Sequence, residues 1–375
     1  MRARSGRGFT LIEMLIGTAV AMLTVTAVAA AFIAFTRGVY TQEGIRGGQA
    51  GLRQALHDLT HELRMAGYGL EPEYAFGLPE DWAGSGPNAS DRLVVRSRDL
   101  RFSAAVEVSP DGAAAGKVRV ASLPVSLRRG QVLQVVCPGA LRWGYGRLAE
   151  DVEAAEGPTD LPLEPATGTF PDLGGVFDEP CFDGVAGLPA RVFKVDVHDY
   201  SVRLVDDDGD AATPERPYLF RGHGLGERPD ALGAPVAEGI ESLRVTFLRE
   251  DGTSFVPEWS AAHQPPGYEA PASSPLRRNR NPANVRAVRL GVVARATMSD
   301  SVLRGAGLEA SIPAFGGEAA LPAPAGFRRV LYETTVFPRN LRSTEMPLPS
   351  YSQDTTTPGA CSGRMPADGL LCAGG

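Results

Sequence analysis

Residues 9–35 read FTLIEMLIGTAVAMLTVTAVAAAFIAF, and this stretch decides the architecture. Its 27 residues carry one charged side chain, Glu13, where roughly 20 predominantly apolar residues suffice to cross a bilayer core. A membrane helix is the direct reading. Arg2, Arg4 and Arg7 precede it with no acidic residue among them, so the positive-inside bias keeps the N-terminus cytoplasmic and sends the remainder across.

An ordinary secretory signal places its cleavage site after an apolar region of about 7–15 residues. Here the candidate processing site, between Gly8 and Phe9, comes before the apolar run, in Arg7-Gly8-Phe9-Thr10-Leu11-Ile12-Glu13. A short basic leader ending in glycine, followed by Phe-Thr-Leu-Ile-Glu, resembles the class III signal of type IV pilins and type II secretion pseudopilins. The resemblance covers roughly the first 30 residues. It implies cleavage between Gly8 and Phe9 by a prepilin peptidase at the cytoplasmic face, methylation of the new Phe9 amine, and retention of the helix as an anchor. Loss of Met1 to Gly8 removes three arginines and moves the formal charge from −7 to −10.

A carboxylate inside an apolar helix costs about 2.5–3.5 kcal/mol on insertion scales and tends to have a partner. The resemblance implies that Glu13 finds its partner in the Phe9 ammonium of a neighbouring subunit and so sets register during assembly. The competing reading, in which Glu13 snorkels to the headgroups six residues from Arg7, leaves the surrounding motif unexplained.

Beyond the anchor, Leu52, Leu56, Leu59, Leu63 and Ala66 recur at helical spacing and predict an amphipathic continuation over 36–67, ended by Gly67-Tyr68-Gly69. Gly38, Gly44, Gly47, Gly48 and Gly51 predict a bend or local melting within it. From 68 to 375 the pattern shifts to short Val/Arg-rich runs bounded by Gly, Pro and Asp. Strands are expected at 92–97, 102–108, 117–122, 131–137, 191–197, 200–205, 218–221, 240–248, 285–297 and 328–337. The stretches 144–190 and 249–284 read as long surface excursions. The expected fold is α+β: residues 1–8 a leader, 9–35 a membrane and assembly helix, 36–67 its continuation, packed on an antiparallel β-rich head at 68–375 with long loops. The pilin resemblance implies the same arrangement.

Composition agrees. Forty-four glycines and 30 prolines in 375 residues favour many turns and short strands over a helical bundle. A net charge of −7 removes the basic field that nucleic-acid binding needs, so no nucleic-acid partner is expected. Four cysteines, Cys137, Cys181, Cys361 and Cys372, form no C-x-x-C pair and are read as disulfides of an exported chain. Three pairings are open, of which Cys137–Cys181 with Cys361–Cys372 closes the shortest loops.

Two clusters invite metal chemistry. His57 and His61 share a helix face, but Asp58 stands where a zinc peptidase needs glutamate, and the leucine stripe lies beside them; a solvated polar face is the better reading. Asp206, Asp208 and Asp210 are candidate calcium ligands, although the sixth and twelfth positions from Asp206 are Ala211 and Pro217, which excludes an EF-hand. An acidic hairpin turn is the simpler account. No nucleophile elbow, phosphate loop or dinucleotide fingerprint occurs, and no catalytic site is expected. Arg277-Arg278-Asn279-Arg280, the one basic cluster, reads as a solvated loop or a contact for an acidic partner surface rather than a nucleic-acid site.

Leu63-Arg64-Met65-Ala66-Gly67-Tyr68 and Phe337-Pro338-Arg339-Asn340 look like PilW-type minor pilins, with the J-type pseudopilin as a near rival. The resemblance implies a non-catalytic subunit that primes a type IV pilus and sits at its tip. Its implied partners are other minor and major pilins, the prepilin peptidase, the inner-membrane assembly platform and, before assembly, the lipid bilayer. The implied location is the inner membrane with a periplasmic head, then the pilus. The alternatives are a type II secretion pseudopilin and an adhesin borrowing a pilin anchor.

Overall fold

The structure is a computed structural model that describes residues 10–77, 84, 86–107, 117–137, 142–165, 190–207, 209–210, 215–223, 233–258, 279–317 and 319–341. Helix α1 spans Leu11–Met65 without a break. At 1.5 Å per residue its 55 residues extend about 80 Å. Thr10 starts it with a reciprocal capping box: the Glu13 N–H donates to the Thr10 hydroxyl at 3.3 Å, and the Thr10 N–H donates to the Glu13 carboxylate at 3.0 Å. The chain then leaves the helix through Gly67 and Gly69, at φ +74° and +69°, where a side chain would be strained.

The local melting expected among the glycines does not occur, because most of these glycines are contact points. A Cβ at Gly48 would lie 2.7 Å from the Arg295 carbonyl oxygen, and one at Gly51 2.2 Å from that of Glu238. Gly44 and Gly47 abut Met298 and Thr297 in the same way. Only Gly38, of the five, faces open space. The head's backbone approaches the helix along this seam, and tertiary packing overrides the low helix propensity of glycine.

The head is built of antiparallel strands. They are β1 (Leu93–Ala105), β2 (Lys117–Val120), β3 (Val132–Cys137), β4 (Arg142–Leu148), β5 (Thr159–Pro165), β6 (Arg191–Val205), β7 (Arg216–Gly222), β8 (Ala234–Glu238), β9 (Ile240–Leu248), β10 (Ser254–Phe255), β11 (Ala287–Arg295), β12 (Ser311–Ile312), β13 (Leu321–Pro322) and β14 (Arg329–Val336), with a short helix α2 (Ser301–Gly305). One sheet runs β2-β5-β4-β3-β6-β7-β8, with β1 along β6; a second runs β10-β9-β11-β14; β12 and β13 make a small ribbon. Strand β6 is the hinge of the large sheet: β3 pairs with its residues 191–195 and β7 with 199–205, while β1 follows it from Arg191 to Tyr200.

The strand expectations need two corrections. The separate pairs 92–97 with 102–108, and 191–197 with 200–205, are each one long strand, β1 and β6. The excursion expected at 144–190 contains most of β4 and all of β5, that at 249–284 contains β10, and β8, β12 and β13 were not expected at all.

Two cores result. Leu52, Ala55, Leu59 and Leu63 of α1 pack with Leu93, Val202, Leu243, Val288, Leu290 and Val292 between the sheets. A second core, around Phe102, Val120, Leu133, Leu161 and Val192, contains no α1 residue. The amphipathic half of the helix is therefore a structural beam of the head.

Candidate assembly site

The other half of α1 has no partner among the described residues. From Leu11 to Tyr40 no residue is buried; Leu11 is 83% exposed and Phe35 72%. Burial begins at Gly44. About 33 residues, roughly 50 Å of helix, stand clear of the head. This segment is long and apolar enough to cross a membrane. A helix apolar on every side requires an apolar environment, lipid or other helices.

Glu13 lies at the tip of that bare segment. Its carboxylate accepts from the Thr10 N–H at 3.0 Å and from the Thr10 hydroxyl at 2.9 Å, so the helix's own first turn holds it in place. Glu13 is the one acidic side chain between Leu11 and Tyr40. Gly8 and Phe9 lie outside the described residues.

The junction between rod and head is polar on one flank. Asp58 accepts from the Tyr200 hydroxyl at 2.8 Å and from Arg221 Nη1 at 3.2 Å, and Glu62 lies 3.3 Å from His198 Nε2. Burial and the Asp58 hydrogen bond push the Tyr200 phenol well above its ordinary value. His198 is pushed below 6.5, chiefly by burial and further by Arg221 and His223, against the opposite pull of Glu62 and Asp58. The neutral imidazole is the form this contact holds. Sequence reading passed over these residues. The available signal was Asp58 and Glu62 at i,i+4 on the shoulder of the leucine stripe, where two acids on a docking face need partners from elsewhere.

At the far end of α1 the two motifs 63–68 and 337–340 meet. The Asn340 side chain donates from Nδ2 to the Met65 carbonyl at 3.2 Å, and the Arg339 N–H donates to the Arg64 carbonyl at 3.4 Å. A Cβ on Gly67 would fall 3.1 Å from the Leu341 side chain. The orphan carbonyls of the helix end are thus capped by the last described segment of the chain.

The remaining candidates behave as follows. His57 and His61 are exposed on the opposite side of α1 from its core, and among the described residues no group of three or more His, Cys, Asp or Glu side chains could hold a metal. Asp206 accepts from the Gly209 N–H at 2.8 Å, and Asp207 is bound by the Tyr218 hydroxyl at 2.9 Å and by Arg216 at 3.1 Å, as in a stapled turn. Asp208 lies outside the described residues, as do Cys181, Cys361 and Cys372; Cys137 closes β3 opposite Arg142.

No family model matches the chain, and no curated protein matches it. Among solved structures the chain is similar to a type IV-like pilin from Thermus thermophilus, with 16% identity over 57% of this chain and 85% of that one. The TM-score is 0.19, a value at which the likeness does not by itself establish a shared fold.

Proposed function

We propose that the chain is a non-catalytic subunit of a type IV pilin-like filament, a minor pilin that primes assembly and sits at the pilus tip. The observation that carries this reading is the division of α1: one half is a beam of the β-rich head, and the other is bare, apolar and headed by Glu13. Before assembly the bare half lies in the inner membrane with the head in the periplasm. After extraction, the helices of other minor and major pilins replace lipid. In that dry bundle the Glu13 carboxylate exchanges its Thr10 contacts for the methylated Phe9 ammonium of a neighbour. Prepilin peptidase and the inner-membrane assembly platform are the partners that act on the anchor. The small head-capping contact at Asn340 fits a PilW-type subunit, whose helix end and C-terminal segment carry matching motifs.

Deletion of the gene, complemented with either the wild-type chain or Glu13→Ala, tests this reading. Wild type should restore pili and Glu13→Ala should not, although the variant still inserts in the membrane. Normal pili with failed protein secretion would assign the chain to a type II secretion filament instead. Intact pili and secretion with lost surface attachment would make it an anchored adhesin.

A further inference from the structure

The side of α1 that faces away from the head is basic. Arg46, Arg53, His57, His61 and Arg64 are all exposed. At about 100° per residue they fall within an arc of roughly 80°, directly opposite Leu52, Ala55, Leu59 and Leu63. None of the five has a side-chain hydrogen bond or ion pair to another described residue. Glu43, at the membrane-proximal end, is the one acid on that side. The other two acids of this segment, Asp58 and Glu62, are turned into the head and matched there by Arg221, Tyr200 and His198. A merely solvated helix face usually mixes both signs along its surface. Here a protein of net charge −7 turns two of this segment's three acids inward and leaves Arg46, Arg53 and Arg64 as a basic stripe about 27 Å long beyond Glu43.

Lipid headgroups do not fit this stripe. Arg46 lies about 16 Å along the helix from Phe35, and Arg64 about 44 Å, against a Debye length near 8 Å at physiological ionic strength. A protein surface does fit. The head itself shows what that surface looks like: Glu150, Asp151, Glu153 and Glu156 are exposed between β4 and β5, beside the second core, which α1 does not enter. A contact between the stalk of one subunit and the head of another is heterologous, and repeated heterologous contacts build open filaments.

From this we infer that the Arg46–Arg53–Arg64 stripe is a docking surface for a carboxylate-rich face on the head of a neighbouring filament subunit. The stripe continues the bare half of α1 along the same rod, so one helix supplies an apolar contact near the membrane and an electrostatic one above it. This inference rests on the filament reading, and its test separates the two.

A photo-crosslinking amino acid is placed at Ala50, between Arg46 and Arg53 on this face, in the full-length chain in native membranes. A second is placed at Val25 in the bare half as a reference, and adducts are identified by mass spectrometry. Ala50 should capture another pilin-like subunit through an Asp/Glu-rich segment. The combined Arg46→Glu, Arg53→Glu, Arg64→Glu variant should lower that yield about tenfold, the loss expected from three exposed ion pairs, with Val25 adducts unchanged. The corresponding Arg→Gln variant, which cannot repel, should lose less. An Ala50 adduct with lipid, no adduct, or one indifferent to charge reversal, with Val25 still capturing subunits, overturns the docking surface and leaves the filament reading standing. No subunit captured at either position overturns both.

Discussion

At the scale of single residues, the head buries paired charge beside its apolar cores. Arg329 donates to both carboxylate oxygens of Glu241, at 2.6 and 3.0 Å, with their side chains only 2% and 1% exposed. Arg295 completes the group at 3.8 Å. Removing the central acid strands two buried cations, and breaking a buried pair in this way costs about 3–5 kcal/mol. Glu241→Gln should therefore lower the unfolding free energy of the full chain, measured by denaturant titration in detergent, by that amount, whereas a loss within 1 kcal/mol would show that water relieves the cations. Below the helix end, Arg98 donates to Gln134 and to the Gly69 carbonyl, and burial lowers its guanidinium to about 10, so it stays charged at neutral pH.

His198 gives the residue scale a pH signature. Its folded-state pKa lies below 6.5, so the unfolded chain binds the proton more tightly. Its contribution to stability is fully present above pH 6.5 and is lost as the pH falls below that value toward the folded pKa. Unfolding midpoints measured from pH 8 to 5 should fall in the acidic part of that range, and His198→Gln should flatten this part of the profile. An identical slope in the variant would place the titrating group elsewhere.

At the scale of elements, α1 is the clearest case of what can be read from the chain and what cannot. The apolar run and the leucine stripe are local patterns, and each is found in the helix as expected. The glycines misled, because their role is fixed by the carbonyls of Glu238 and Arg295, which reach the helix from far along the sequence. Strands β5 and β8 were hidden by composition: Pro162 and Pro165 in one and Pro235 in the other are turn signals locally. β8 tolerates its proline as an edge strand, and β5 spreads its pairing between β2 and β4. Glu13 is conspicuous in the sequence as a charge in an apolar helix, and the structure shows it in the first-turn cap, whereas the pairing of Asp58 and Glu62 was illegible because their partners lie on β6 and β7.

The glycine seam yields a paired expectation. Gly51→Ala puts a methyl group against a fixed backbone carbonyl and should destabilise docking of the helix by about 1–3 kcal/mol. Gly38→Ala meets nothing and should stabilise the helix by about 1 kcal/mol. Thermal unfolding of both variants in detergent checks the contrast. Equal effects at the two positions would mean that the seam is not closed.

At the scale of the whole molecule, the account turns on a rod that is finished at one end and unfinished at the other. The head packs on its half of α1 at leucines, glycines and paired acids, while the remaining 50 Å or so has no partner among the described residues. In a solitary membrane protein such a helix would stay in lipid, with Glu13 serving only to cap its first turn. The most direct measurement is the intact mass of the full-length protein purified gently from its native membranes, together with the identities of the proteins that accompany it. The account predicts a species beginning at Phe9 with one added methyl group, in company with other pilin-like subunits. A chain that retains Met1 and purifies alone would contradict it.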